Sequence, residues 1–122
     1  MGESRVRAAR GAIVVPRDTA DDVFAATGRL LAAMVERNGV ATDDLVSMFF
    51  TATEDLRAAF PAEAARRMGM GHVPLMCAQE IRVRGSMPRV VRILMHFHTV
   101  RRAEEIVPVY LDGAESLRDD LA

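Results

Sequence analysis

The chain contains no lysine, so all 16 of its basic side chains are arginines. Genome composition is the first explanation of that bias. It still leaves every cationic position with a planar fork suited to bidentate carboxylate recognition. Cysteine is nearly absent as well. Cys77 stands alone, which excludes an intramolecular disulfide and points to a reducing compartment. No run approaches the roughly 18 apolar residues of a membrane span. The opening Met1-Gly-Glu-Ser-Arg-Val6 has no apolar signal core, nor the Ser or Thr at position 6 of a myristoylation motif. A cytoplasmic location is therefore expected. The net charge is −1 and the arginines are scattered rather than massed, so neither nucleic acid nor a membrane is expected as a partner. Gly69-Met-Gly71 lacks the glycine spacing and the lysine of a phosphate loop.

What is present fits one domain over residues 1–122, half of it hydrophobic. That is slightly apolar for a small domain, an excess that subunit association would cover. Arg7 to Val15 reads as a strand ended by Pro16-Arg-Asp18. Thr19 then caps a long amphipathic helix, with Asp21 and Asp22 in its positive first turn and Val23, Thr27, Leu30, Leu31, Met34 and Val35 on one face. Asn38-Gly39 stops it. A strand over Leu45–Thr51 follows, then a loop, and Pro61 opens a short helix over residues 62–68. Further strands are expected over Val73–Val83, Arg89–Val100 and Ile106–Leu111, with a polar tail over Asp112–Ala122. The expected class is α+β: a mixed sheet with helices on one face.

Glu80 closes the nearly apolar run Val73-Pro-Leu-Met-Cys-Ala-Gln-Glu-Ile81, and Arg10 and Arg92 interrupt other strand-like runs. A carboxylate or guanidinium in a buried strand is costly unless paired. Together they suggest a polar pocket for a small anion, with a structural Glu80–Arg92 salt bridge as the plainer alternative. His96-x-His98 has a spacing found in metal sites, but no third ligand is tied to it by sequence, so a solvated strand edge is the better account. Cys77 in an apolar strand reads as a small core residue rather than a nucleophile.

These residues lie within a longer pattern. Arg10-Gly-Ala12 with Arg17-Asp-Thr19, Ala52-Thr-Glu-Asp-Leu56, Phe60-Pro-Ala62 to Arg66, Val73-Pro with Cys77-Ala-Gln-Glu80, Arg89-Val-Val-Arg92, and Val109-Tyr-Leu111 to Leu117-Arg118 resemble the monofunctional chorismate mutases of the trimeric, pseudo-barrel bacterial type. Each motif is short, but six occur in order, collinear from about residue 5 to 121. The resemblance implies one long helix per subunit, three sheets joined into a pseudo-α/β-barrel homotrimer, and active sites between subunits. It implies the rearrangement of chorismate to prephenate in phenylalanine and tyrosine biosynthesis, a unimolecular step needing neither metal nor cofactor.

Roles follow by position. The resemblance puts Arg92 at the ether oxygen and a substrate carboxylate, and Arg10 and Tyr110 at the enolpyruvyl carboxylate. Glu80 would accept the ring hydroxyl, with Cys77 supplying mainly backbone contact. Phe60, Ala62 and Arg66 correspond to the part donated by the neighbouring subunit, and Leu75, Met76, Leu117 and Arg118 to wall and lid. Met76 stands where one relative of this type has a threonine, so a side-chain hydrogen bond there is not expected. Two alternatives remain at this point: an imine-hydrolysing trimer of similar architecture, and a non-catalytic metabolite-binding trimer.

Overall fold

The computed structural model describes residues 2–121, with 118–121 described by their backbone alone. Five strands form one mixed sheet: β1 (Arg5–Val14), β2 (Leu45–Ala52), β3 (Leu75–Gln79), β4 (Val90–Thr99) and β5 (Val109–Leu111), in the spatial order β3-β2-β4-β1-β5. The central β4 runs antiparallel to both β2 and β1, while the edge strands β3 and β5 lie parallel to β2 and β1.

Helix α1 (Ala20–Asn38) covers one face of this sheet, and the short α2 (Ala62–Arg67) packs beside it. The α1 start is the one the sequence encodes. Thr19 is extended, its side chain accepts from the Asp22 N–H, and Asp21 and Asp22 occupy the positive first turn. At the other end Gly39 takes the left-handed conformation (φ 61°), which glycine adopts without a Cβ penalty. The buried stripe Val23, Thr27, Leu30, Leu31 and Met34 meets Ile13, Met48, Phe50, Ile93, Met95 and Phe97 in the core. Gly11 lets β1 and α1 approach closely, since a Cβ there would lie 2.5 Å from the Met34 sulfur. Arg67 lies over the Phe24 ring, 4.0 Å from its centroid, and ties α2 to α1.

Several boundaries differ from the sequence expectation. The 73–83 run forms a strand only over Leu75–Gln79. Val73 closes a turn onto Met70, and beyond Glu80 the chain leaves the sheet, with Ile81 88% exposed. β3 is therefore a short edge strand, and Glu80 sits at its margin rather than inside a buried one. The fifth strand shortens to Val109–Leu111, and the polar tail begins a 3-10 helix over Ala114–Leu121.

The second sheet face is mostly open. One end is covered where Ala114 and Leu117 pack with Ala12, Val90 and Tyr110. The remainder presents Phe49, Met76 and Leu94 as exposed side chains.

Candidate active site

Strand alternation divides β4 between the two faces. Val91, Ile93, Met95 and Phe97 point into the helix layer, and Arg92, Leu94, His96 and His98 point to the open face. Register then gathers the polar groups. Thr51 on β2 stands opposite Arg92, Arg10 on β1 stands opposite Leu94, and Tyr110 on β5 stands opposite Ala12. Arg10, Phe49, Thr51, Arg92, Tyr110 and Leu117 line a cleft of about 370 Å³. A second hollow of about 1090 Å³ opens between the 53–55 turn and the 80–88 loop, and Arg92 and Leu117 line both.

Glu80 reaches this place because its N–H donates to Ala52 O at 2.9 Å, extending the β3–β2 pairing by one bond. Its Oε2 accepts from Thr51 Oγ1 at 2.7 Å. Arg92 Nε lies 2.8 Å from the same oxygen. That N–H is nevertheless misaimed: the buried Nε makes no aligned hydrogen bond among the described residues. The Glu80–Arg92 pair is thus an ion pair by distance without being a clamped fork. With the two side chains 19% and 43% exposed, such a pair contributes about 0–1 kcal/mol.

Arg10 is exposed and has no ion pair among the described residues. Tyr110 and Leu117 are half-buried against the Ala12–Val90–Ala114 cluster, so both are held at the cleft rim by packing. Met76 projects from β3 and is 59% exposed. Leu75 and Cys77 instead lean onto the core on the helix side, and none of Leu75, Met76 and Cys77 lines either hollow. Phe60 is 74% exposed, and Arg66 pairs with Glu63 at 3.1 Å. Ala62 is buried in the core. None of these three lines either hollow of its own chain. The Arg118 side chain falls outside the described residues.

The surrounding loops are pinned by specific bonds. Asp18 Oδ1 accepts from the N–H groups of Arg57 and Ala58, each at 2.9 Å, and holds the loop that carries Phe60. Asp55 accepts the Arg89 N–H, while Arg89 adopts φ 53° and donates from Nε to Val15 O at 2.9 Å. The motifs Arg17-Asp-Thr19 and Thr53-Glu-Asp55 are in this way scaffolding. His96 faces Ser47 Oγ at 3.4 Å and meets the Phe49 ring edge-on. Among the described residues no three His, Cys, Asp or Glu side chains are grouped to hold a metal.

Thr51, Phe49 and Leu94 are among the cleft-lining residues that sequence reasoning passed over. The alternation Phe49-Phe50-Thr51 was a usable signal, since an inward Phe50 requires an outward Thr51.

Residues 6–121 match the family model described as chorismate mutase type I. The chain is 48% identical over 117 residues to chorismate mutase AroH of Thermus thermophilus, covering 95% of this chain and 96% of that one. It is 38% identical over 118 residues to chorismate mutase AroH of Bacillus subtilis, covering 96% and 93%. Among solved structures, a chorismate mutase from Clostridium thermocellum superposes with a TM-score of 0.88 at 48% identity, over 89% of this chain and 97% of that one.

Proposed function

The chain belongs to the type I chorismate mutases, and we propose that its reaction centre is the cleft around Arg92, completed by a neighbouring subunit of a homotrimer. The reaction is the rearrangement of chorismate to prephenate. In this single pericyclic step the ether C–O bond breaks as a C–C bond forms between the enolpyruvyl methylene and the ring. The chain has two ways to help: holding the compact conformer in which the enolpyruvyl group folds over the ring, and meeting the charge that grows on the ether oxygen.

One observation carries this assignment of roles. Arg92 stands at the junction of the two hollows with its guanidinium beside Glu80 yet without an aligned bond to it. Its two terminal NH2 groups make no hydrogen bond among the described residues and can span the ether oxygen and a carboxylate. Arg10 and Tyr110 line the same cleft and suit the enolpyruvyl carboxylate. Glu80, with Oε2 occupied by Thr51, keeps Oε1 to accept the ring hydroxyl. Cys77 contributes through its backbone, with Leu75, Met76, Leu117 and Arg118 forming walls and rim.

Phe60 and Arg66 are assigned to the site of the adjacent subunit, whereas Ala62, buried in its own core, acts there only by supporting the segment that carries them. Phe60 and Arg66 are exposed and turned away from their own cleft, and the open sheet face offers Phe49, Met76 and Leu94 for subunit contact. We further propose a cytoplasmic enzyme acting as one domain over residues 1–122; the free thiol of Cys77 supports the compartment.

Following chorismate loss and prephenate formation by the purified protein, with sedimentation equilibrium on the same sample, tests the proposal. The expected result is turnover by a trimer. A fully active monomer would remove the shared site, and chorismate binding without turnover would leave a binding module.

A further inference from the structure

We infer that Thr51 is a positioning residue for the rearrangement, holding Glu80 so that its carboxylate serves the substrate and does not clamp Arg92. The inference rests on the reading that Glu80 and Arg92 act on chorismate.

The geometry is a competition for one oxygen. Glu80 Oε2 accepts from Thr51 Oγ1 at 2.7 Å, and Arg92 Nε lies 2.8 Å from that same oxygen without an aligned hydrogen bond. An arginine and a carboxylate this close ordinarily form a bidentate fork, the strongest arrangement open to them. Here they do not. Thr51 stands directly across β2–β4 from Arg92, and its hydroxyl meets the carboxylate from the β2 side. The Glu80 backbone is held by the bond from its N–H to Ala52 O at 2.9 Å. Backbone and carboxylate are therefore fixed from adjacent residues of one strand.

Without the Thr51 hydroxyl, Glu80 Oε2 loses its donor and the carboxylate can rotate into a fork with Arg92. That fork would occupy donors that the ether oxygen needs as charge develops, and pulling them free would raise the barrier. The loss should fall on kcat more than on KM, because the missing interaction is one made in the transition state. β-branched valine suits the strand and nearly matches threonine in shape, so Thr51→Val removes the hydroxyl with little other change.

The test is a double-mutant cycle in steady-state kinetics, with thermal unfolding of every variant. Thr51→Val should lower kcat about tenfold or more, as for a hydrogen bond to a charged group, and leave the unfolding midpoint within a few degrees. Thr51→Ser should recover most of the loss. In a Glu80→Gln background the Thr51→Val effect should shrink to about twofold, because a neutral amide does not clamp a guanidinium. An active wild type whose kcat is indifferent to Thr51→Val, or an equal loss in both backgrounds, overturns the inference. Absence of chorismate turnover by the wild type would instead overturn the functional reading beneath it.

Discussion

Asn38 and Val107 bind each other through both sides of one buried amide. Asn38 Nδ2 donates to Val107 O at 3.0 Å, and Val107 N–H donates to Asn38 Oδ1 at 2.8 Å. The same Nδ2 also donates to Met34 O at 3.0 Å. One side chain thus satisfies a carbonyl of the last turn of α1 and both backbone groups of the segment leading into β5. Because β5 carries Tyr110, the helix end sets where that hydroxyl enters the cleft.

Asn38→Ala should therefore cost about 1–3 kcal/mol, since it removes a buried amide and leaves the Val107 N–H and C=O without their partner. Urea unfolding measures it. A KM increase larger than the fall in kcat should accompany it, as expected if Tyr110 shifts and binding weakens. A loss below about 1 kcal/mol would show that the segment finds other partners.

Gly11→Ala probes the contact between β1 and α1. The added Cβ would meet the Met34 sulfur at 2.5 Å and a Leu30 methyl at 3.0 Å, and overpacking of this kind costs about 1–3 kcal/mol. Combining it with Met34→Ala should give a total smaller than the sum of the single losses, because the second change makes room for the first. Simple additivity in denaturant unfolding would place the strain elsewhere.

Arg92→Ala should reduce kcat by about 10²–10³ or more, the scale of one preorganised donor aimed at developing charge, with a smaller change in KM. Arg92→Lys should recover only part, because an ammonium cannot span two acceptors with a planar fork. Arg89 is not a neutral control. It holds a positive φ and the Val15 carbonyl, so its removal disturbs the start of β4. Arg17, exposed and paired with Asp22, is the better one, and Arg17→Ala should leave kinetics unchanged. A raised KM with intact kcat for Arg92→Ala would make it a binding residue only.

Glu80→Gln should weaken catalysis less than Glu80→Ala. The amide oxygen still accepts from Thr51 or from the ring hydroxyl, whereas alanine leaves donors unpaired in the closed site. Equal losses in two variants confirmed as folded trimers would show that the negative charge itself, or only the fold, is what matters.

Cys77→Ser should keep activity within about tenfold, after allowance for lost packing in β3. Its side chain leans onto the core, and the rearrangement uses no thiolate. Exhaustive chelation should be equally harmless. Activity lost to chelation and restored by zinc would instead assign a role to His96 and His98.

Local chemistry made much of the fold legible. Thr19, Asp21 and Asp22 mark the start of α1, Gly39 its end, and its buried stripe follows helical spacing. The alternation of residues 90–99 divides β4 between core and open face without knowledge of its neighbours. The margins were less legible. Residues 80–83 alternate charged and apolar side chains as a strand can, yet among the described residues their one backbone bond to the sheet runs from Glu80 N–H to Ala52 O. A strand persists where a partner strand exists, and that is decided far away in sequence. The same limit hid Thr51, whose outward direction was readable while its partner was not.

By itself the sequence determined which side chains could share a face, because alternation and helical period are properties of the local backbone. Together with the spacing of six motifs it determined the family. Only the tertiary structure decided that Thr51, Glu80 and Arg92, drawn from β2, the end of β3 and β4, converge on one carboxylate oxygen. It also decided that the Arg92 N–H is misaimed there, and that Asn38 joins the end of α1 to β5. Register between distant strands depends on how the whole core packs, and no local run of residues encodes it.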